Sequence, residues 1–387
     1  MNIVKRIPRF IRHQKEFLID WFSFNNTLRS LEGKKIIILI SNNSDGSGGA
    51  PVVLYEYAKY LNSSNNTTLF LAGKGGEIIS DARERGIPAF RMGFMYKWYI
   101  RKIQQLDLDA IVVNTITMYK YIDQLIENNK LNHKIIWWIH EEDRILKSFA
   151  HYMPKQTNQN LRIMCVSERI KDSLVKLRND LDYGIMYYGC IDEFQNHFYE
   201  FASKKSFKRK EYVISVIGRI CSRKNQMQIV NAYSLLNQEI RENIRIKIVA
   251  GSADELYKNR LLDQIGTNNN IEIIGPIARN DMYKIYLESD LIVCCSIDDP
   301  LPVVITEAMM FGCPFITSSK TGQSGLMENG VNGNIYNFES DDELAVAIEK
   351  CFKNRHISFE VSKGARKLYE KYFSLEHLDQ QVKELCK

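Results

Sequence analysis

The sequence predicts an α/β protein made of two doubly wound domains with parallel sheets. Short apolar runs typical of buried strands alternate with segments of helical periodicity from about residue 35 onward. At 387 residues, the chain is long enough for two domains of ordinary size. A polar, basic run, KKSFKRK at residues 204–210, separates two such series and is most simply a solvated linker.

These observations predict five consecutive parts. They are a basic amphipathic extension at 1–34, a first Rossmann-like domain at 35–195, a linker at 196–210, a second Rossmann-like domain at 211–370, and a last helix at 371–387.

Composition narrows the class of protein. Hydrophobic residues make up 45% and charged residues 25% of the chain, as in soluble globular proteins. The net charge of +6 suits anionic substrates or an anionic membrane surface, but it is too small to argue for nucleic acid. None of the 8 cysteines forms a C-x-x-C pair, which favours a reducing compartment. With no apolar run of spanning length and no signal peptide, a cytoplasmic protein is expected.

The amino-terminal segment carries an apolar stripe at helical spacing among basic residues. Its members over residues 8–22 are Phe10, Ile11, Phe17, Leu18, Trp21 and Phe22, with Arg9, Arg12 and Lys15 nearby. Such a helix either packs on its own domain or lies on the inner face of a membrane as a peripheral contact. The sequence leaves both alternatives open.

A glycine-rich loop, NNSDGSGGAP, follows the first predicted strand. Gly46 and Gly48 match the first two glycines of a dinucleotide fingerprint, but Pro51 occupies the third position and no acid ends the next strand. A nicotinamide dehydrogenase is therefore not expected. Glycines here let backbone N–H groups approach a phosphate or sugar closely, although an ordinary tight turn has the same composition.

The second domain opens with a strand that ends at Gly218-Arg219, and Lys224 precedes the following helix. Two cations between a strand end and a helix start can hold a diphosphate, because Arg donates bidentate hydrogen bonds and Lys supplies a point charge.

Two carboxylates frame a later strand-loop-helix unit, DPLPVVITEAMMFGCPFIT. Asp299 lies in the loop, and Glu307 lies inside a helix that starts near Val303 and stops at Gly312. A buried Glu needs hydrogen-bond donors, which the vicinal hydroxyls of a ribose would supply. The alternative is a salt-bridged or exposed side chain. In the first domain, His140 follows the strand IIWWI and is a further candidate site residue.

The motif DPLPVVITEAMMFGCPFIT resembles the acid-x7-acid signature of retaining glycosyltransferases of family 4, which have the GT-B fold. Asp299 stands where Glu is commoner, whereas Glu307 matches, and so do Pro302, Ala308, Met309, Gly312 and Pro314. The family's G-R-x-x-x-x-K-G element matches through Arg219 and Lys224, with Asn225 in place of the last Gly. Gly325 replaces an expected Glu further on.

The resemblance implies two Rossmann-like domains facing a central cleft and a nucleotide-diphosphate sugar as donor, with no metal. It implies catalytic roles for Arg219, Lys224, His140 and Asp299, with the two cations on the donor diphosphate. It implies donor-binding roles for Glu307, Gly48, Gly49, Gly218, Leu301, Pro302 and Val303. The expected acceptor is a glycan or lipid-linked glycan in bacterial cell-surface polysaccharide synthesis. Alternatives are a sugar-nucleotide epimerase of the same fold and a non-catalytic nucleotide-sugar-binding subunit.

Overall fold

The computed structural model describes residues 20–46, 49–127, 132–155, 159–195, 197, 211–278, 281–355 and 358–387. The chain divides into two compact units. Unit 1 comprises Met1–Cys165, Ser173–Met186 and Leu378–Lys387, and unit 2 comprises Val166–Asp172 and Tyr187–His377. Each unit is an α/β layer structure around a parallel sheet, so the predicted fold class is confirmed. Apart from residue 197, the predicted linker at 196–210 lies outside the described residues.

The sheet of unit 1 has seven parallel strands in the order β3-β2-β1-β4-β5-β6-β7. The strands are β1 Ile36–Ser41, β2 Thr67–Ala72, β3 Ala89–Arg91, β4 Leu108–Asn114, β5 Ile135–Ile139, β6 Leu161–Cys165 and β7 Tyr183–Ile185. The central strands β1, β4 and β5 are mostly apolar because helices cover both faces of a parallel sheet. The strand order reverses between β1 and β4, where doubly wound folds form a crevice at the carboxyl ends of the strands.

The helices that flank this sheet follow the predicted alternation. They are Gly49–Ser63, Glu77–Glu84, Tyr96–Ile103, Tyr119–Glu127, Asp143–Phe149, the second half of Glu168–Leu177, and the end of the last helix, Leu375–Leu385. This end is fixed within unit 1 by Tyr57, whose hydroxyl donates a 3.0 Å hydrogen bond to Asp379. Both side chains are buried, so the bond anchors the end of the chain.

Residues 20–31 form a further helix ahead of β1. Phe24 on this helix is fully buried against Phe90 and Tyr99, and Trp21 lies 6.2 Å from Trp98 between ring centroids. Phe22, by contrast, is 62% exposed. Of the predicted apolar stripe, two members are described here: Trp21 is half-buried beside Trp98, and Phe22 faces solvent. The stripe's remaining members, within residues 8–19, lie outside the described part of the chain.

The sheet of unit 2 has six parallel strands in the order β10-β9-β8-β11-β12-β13. The strands are β8 Tyr212–Ile217, β9 Ile244–Val249, β10 Ile271–Ile274, β11 Leu291–Cys294, β12 Phe315–Ser318 and β13 Asn334–Tyr336. The helices are Met227–Leu235, Gln238–Asn243, Glu255–Ile265, Met282–Glu288, Val303–Met310, Asp341–Lys353 and Ser358–Tyr372. Here too the order reverses between the first strand, β8, and its neighbour β11.

Among the described helices, none is both long enough and apolar enough to cross a membrane.

Candidate active site

The loop after β11 is the centre of the candidate site in unit 2. It runs into the Val303–Met310 helix, which begins directly after Pro302. The helix stops at Gly312, whose φ of +58° closes the turn, and the N–H of Cys313 donates to the carbonyl of Ala308 at 2.8 Å. This arrangement presents the positive end of the helix dipole at the carboxyl edge of the sheet.

Asp299 is the most strongly bound acid of this loop. Its Oδ2 accepts a hydrogen bond from Lys224 Nζ at 2.5 Å and lies 3.2 Å from Arg223 Nη1. Burial alone would raise the pKa of Asp299, but the two cations outweigh burial and hold this pKa below its ordinary value. Burial alone would lower the pKa of Lys224, but the pairing with Asp299 outweighs burial and raises it. This buried cluster is therefore ionised.

The two predicted diphosphate ligands differ in their surroundings. Lys224 is paired with Asp299, as described above, whereas Arg219 is exposed and its guanidinium has no recorded partner among the described residues. Gly218 lies beside Lys224, since a Cβ added to Gly218 would be 3.6 Å from Lys224 Cε. The structure thus brings Gly218, Lys224 and Asp299 together and leaves Arg219 available to an anionic ligand.

Asn225 explains one departure from the family pattern. It occupies the position where the resemblance leads one to expect Gly, and its φ is +51°, in the left-handed region. Asn is the non-glycine residue that tolerates this region best. The backbone turn that places Lys224 is therefore preserved without the glycine.

Close packing fixes the loop that holds Leu301 and Pro302. A Cβ on Gly322 would lie 1.8 Å from the Pro300 carbonyl oxygen, so this close approach requires glycine. The buried Gln323 donates from Nε2 to the Pro302 carbonyl at 2.9 Å, and Tyr188 donates to the Leu301 carbonyl at 3.2 Å. The start of the helix at Val303 is held rigid by these contacts.

Glu307 is buried, with 6% of its surface exposed, so the exposed alternative does not apply. Its Oε2 accepts a hydrogen bond from the hydroxyl of Tyr286, which comes from the Met282–Glu288 helix. The Tyr286 ring stacks on Phe311 with centroids 5.2 Å apart. The predicted need of this acid for a donor is thus met at least in part within the protein.

In unit 1, His140 directly follows β5, as predicted. Its Nε2 is buried with no hydrogen-bond partner among the residues that the structure describes, and its ring lies 4.4 Å from the Trp138 ring between centroids. Burial lowers the pKa of His140 to about 3, so the imidazole is neutral at physiological pH.

The neighbouring Glu141 is a site residue that sequence reasoning did not single out. Its Oε2 accepts hydrogen bonds from the backbone N–H groups of Ile116 at 2.9 Å and His140 at 3.0 Å. Burial raises the pKa of Glu141 to about 7, although these N–H groups act in the opposite direction. The carboxyl group thereby ties the end of β5 to the turn after β4 and fixes the backbone of His140.

The glycine-rich loop is described in part. Gly49 is exposed and begins the Gly49–Ser63 helix, whereas Gly48 lies outside the described residues. Asn114 at the end of β4 donates from Nδ2 to the Ala50 carbonyl at 2.8 Å and so fixes the first turn of this helix.

The site chemistry is that of anion and hydroxyl recognition. In unit 2, the side chains of Arg219, Arg223 and Lys224 and a helix amino end can stabilise negative charge. The buried carboxylates of Asp299 and Glu307 can accept hydrogen bonds from hydroxyls. Within the described residues, no group of three or more His, Cys, Asp and Glu side chains is placed to hold a metal ion. Arg223, Glu141, Tyr286 and Gln323 are the contributors that the sequence motifs did not reveal.

Known proteins resemble this chain in family and in fold. A model described as "Glycosyl transferases group 1" matches residues 198–368, and one described as "Glycosyl-transferase family 4" matches residues 32–173. An uncharacterized glycosyltransferase of Methanocaldococcus jannaschii is 24% identical over 227 residues, covering 56% of this chain and 57% of that protein. This chain therefore spans less than two thirds of that relative's length.

Two further proteins extend the comparison over more of the chain. The alpha-monoglucosyldiacylglycerol synthase of Acholeplasma laidlawii is 21% identical over 304 residues, covering 73% of this chain and 76% of that protein. The crystal structure of Anabaena Alr3699/HepE in complex with UDP and glucose aligns with a TM-score of 0.71 at 18% identity, covering 90% of this chain and 98% of that one. The paired family models, the two parallel-sheet units and these relatives lead to one conclusion: the chain belongs to the family 4 glycosyltransferases of GT-B fold.

Proposed function

We propose that this glycosyltransferase is a retaining enzyme that moves a sugar from a nucleotide-diphosphate sugar to a glycan or lipid-linked acceptor. The proposal depends chiefly on the cluster of Lys224, Arg223 and Asp299 beside Gly218 and the exposed Arg219. These cations lie in one unit at the carboxyl edge of its sheet, where a departing diphosphate needs compensation of charge.

The reaction breaks the bond between the anomeric carbon and the diphosphate oxygen while the acceptor hydroxyl adds to the same face of the sugar. Negative charge grows on the leaving diphosphate, and Arg219, Lys224 and the amino end of the Val303–Met310 helix stabilise it. The acceptor proton passes to the departing phosphate. No metal ion and no covalent side-chain intermediate take part in this scheme.

Asp299 is proposed to orient sugar hydroxyls with the oxygen that the cations leave open. The contacts from Lys224, Arg223 and Ser296 all go to Oδ2, and Oδ1 has no recorded partner in the described part of the chain. In this role the carboxylate connects the phosphate-binding cations to the sugar. His140 is proposed to position the sugar as a neutral donor or acceptor, because burial keeps its imidazole uncharged.

Turnover separates this proposal from its alternatives. A panel of nucleotide sugars is screened by thermal shift, since a ligand that binds only the folded protein raises its stability. The stabilising donors are then incubated with candidate acceptors. Release of nucleoside diphosphate together with an axial product linkage from an axial donor supports a retaining transferase. Epimerised donor supports an epimerase, and binding without turnover supports a non-catalytic subunit.

We further propose that the enzyme docks on the inner face of the cell membrane, where a lipid-linked acceptor would lie, with residues 8–22 as a peripheral contact. Support comes from the basic apolar stripe and from Phe22, which is 62% exposed beside a well-packed helix face. The name of the Acholeplasma relative includes a diacylglycerol, which is consistent with a lipid acceptor.

The membrane proposal is tested by sedimentation with anionic vesicles. Each basic residue near an anionic leaflet contributes about 1 kcal/mol, so binding should fall steeply at high salt. Phe22→Ser should weaken binding, whereas Leu256→Ser, at a residue 78% exposed in unit 2, should not. Equal effects of both substitutions, or binding that salt does not alter, would contradict the proposal.

A further inference from the structure

We propose that Tyr286 is a positioning residue for nucleotide recognition: its hydroxyl fixes the Glu307 carboxylate in the orientation that accepts hydrogen bonds from a ribose diol. This inference rests on the proposed function and takes Glu307 as the ribose ligand, the role that the sequence motif and the family resemblance imply for it. It adds a residue from a different helix, Met282–Glu288, to the donor site.

The packing around Glu307 shows why its carboxylate needs a fixed partner. The Val303–Met310 helix is lined by apolar side chains, and every residue from Val304 to Met310 is buried. A carboxylate on such a helix has few orientations that keep its oxygens hydrogen-bonded. The Tyr286 hydroxyl occupies Oε2, so the plane of the carboxylate is set before any ligand arrives.

Tyr286 is itself held in place. The side chain is 1% exposed, and its ring stacks on Phe311 with an angle of 16° between the ring planes. A rigid phenol that donates to a charged acceptor forms one of the stronger kinds of hydrogen bond. Because the Tyr286 hydroxyl already holds the Glu307 carboxylate in place, little conformational freedom is lost when the ribose diol binds. This is the advantage of preorganisation.

Substitution Tyr286→Phe tests this role because it keeps the stacked ring and removes only the hydroxyl. Kd is measured for a nucleoside diphosphate that stabilises the protein and for its 2′,3′-dideoxy form. The variant should bind the ribose form about tenfold more weakly, the scale of losing one hydrogen bond to a charged group, and the dideoxy form almost as well as before. Turnover at saturating donor should change less than about twofold, so KM rises while kcat is kept.

A matched control lies on the same helix. Tyr283→Phe also removes one phenol hydroxyl, from a ring that stacks on His197 instead. It should leave both Kd values unchanged. In the Glu307→Gln background, Tyr286→Phe should produce little further loss, because the two residues act on one hydrogen bond.

The outcomes separate this inference from the function beneath it. If Tyr286→Phe weakens both ligands equally, Tyr286 supports only the fold and the inference is overturned. If the natural protein does not distinguish ribose from dideoxyribose, Glu307 is not a ribose ligand, and the role expected for Glu307 fails whatever Tyr286 does. Should the Phe variant unfold, Tyr286→His keeps an aromatic ring and a donor. Retained discrimination in the folded His variant supports the inference, because a ring N–H can replace the phenol donor, and lost discrimination in the folded His variant contradicts it.

Discussion

The pKa values of the buried acids in the two candidate sites are shifted in opposite directions. In unit 2, Asp299 is buried but paired with Lys224 and Arg223, which keep its pKa low. In unit 1, the described hydrogen-bond donors to the buried Glu141 are neutral, and its pKa rises to about 7. Its neighbour His140 is kept uncharged by burial. Burial is common to both, so the partner decides the charge.

This difference in charge suits the two sites to different chemical roles. A charged cluster can neutralise a diphosphate, whereas a pair of neutral polar groups can direct hydrogen bonds at hydroxyls without attracting stray ions. Substitutions that remove one partner at a time test whether the two units are in fact divided in this way.

The largest effect is expected from Lys224→Ala compared with Arg219→Ala. Lys224 is the closest partner of a buried carboxylate, so its loss should lower the free energy of unfolding by about 3 kcal/mol, while Arg223 keeps part of the pairing. Arg219 is exposed without a recorded partner among the described residues, and its removal should change stability by less than about 0.5 kcal/mol.

Both substitutions should lower turnover by roughly a hundredfold or more, because each removes a preorganised charge from the leaving group. Urea unfolding and product release on the same preparations provide the two measurements. Near-normal turnover in both folded variants would refute the diphosphate assignment. Equal losses of stability would refute the contrast between the paired and the exposed cation.

The second effect concerns pH and the neutral pair of unit 1. Glu141 titrates near 7 in the folded chain and near 4.5 in the unfolded one, so its contribution to stability falls as pH rises between these values. His140 titrates near 3 when folded and near 6.5 when unfolded, so its contribution rises with pH over that window. Between pH 4.5 and 6.5, the contributions of Glu141 and His140 to stability therefore change with pH in opposite directions.

Glu141→Gln should therefore gain stability relative to the natural protein as pH rises from 4.5 to 6.5, by about 2 kcal/mol. His140→Asn should show a relative loss of similar size over the same interval. Urea unfolding at three pH values measures both differences, and subtraction from the natural protein removes the contributions of other groups. A difference that does not depend on pH would show that Glu141 is ionised when folded.

The contrast between the units also separates what the sequence predicts from what it leaves open. Local patterns predicted the turn at Gly312 and the spacing of Asp299 and Glu307 along one strand-loop-helix unit, because each depends on residues close in the chain. The three-residue strands β3, β7 and β13 were not predicted, since so short a run carries no periodicity.

The partners of the site acids could not be predicted in the same way. Tyr286 and Glu307 are 21 positions apart, and Lys224 and Asp299 are 75 apart, so only the fold brings each pair together. The charge state of Glu141 depends on how deeply the folded protein buries its side chain, which the sequence alone does not show. Gly325 remains a departure from the family pattern, and a Cβ built there meets no atom within 4 Å.

A smaller effect is expected at Asn225, whose backbone supports Lys224 in unit 2. Because φ is +51°, Asn225→Ala should cost about 1 kcal/mol of stability, whereas Asn225→Gly should be nearly neutral or slightly favourable. Turnover of the Gly variant should match the natural protein. A result in which Gly destabilises as much as Ala would mean that the Asn225 side chain, which donates to Gln228 at 3.1 Å, matters more than its backbone.

The smallest effect is expected from removing divalent metal, which should leave turnover unchanged within about twofold. The physical reason is that the cations of unit 2 and the amino end of the Val303–Met310 helix already supply the charge that a metal would bring to the diphosphate. Glu141 and His140 do not compete for this task, because burial keeps both neutral near pH 6. Activity is compared with excess chelator, with chelator plus magnesium or manganese, and without either. If chelator abolishes turnover and added metal restores it, the charge on the leaving group is not carried by Arg219 and Lys224 alone. The division between a charged and a neutral unit would then have to include a bound ion.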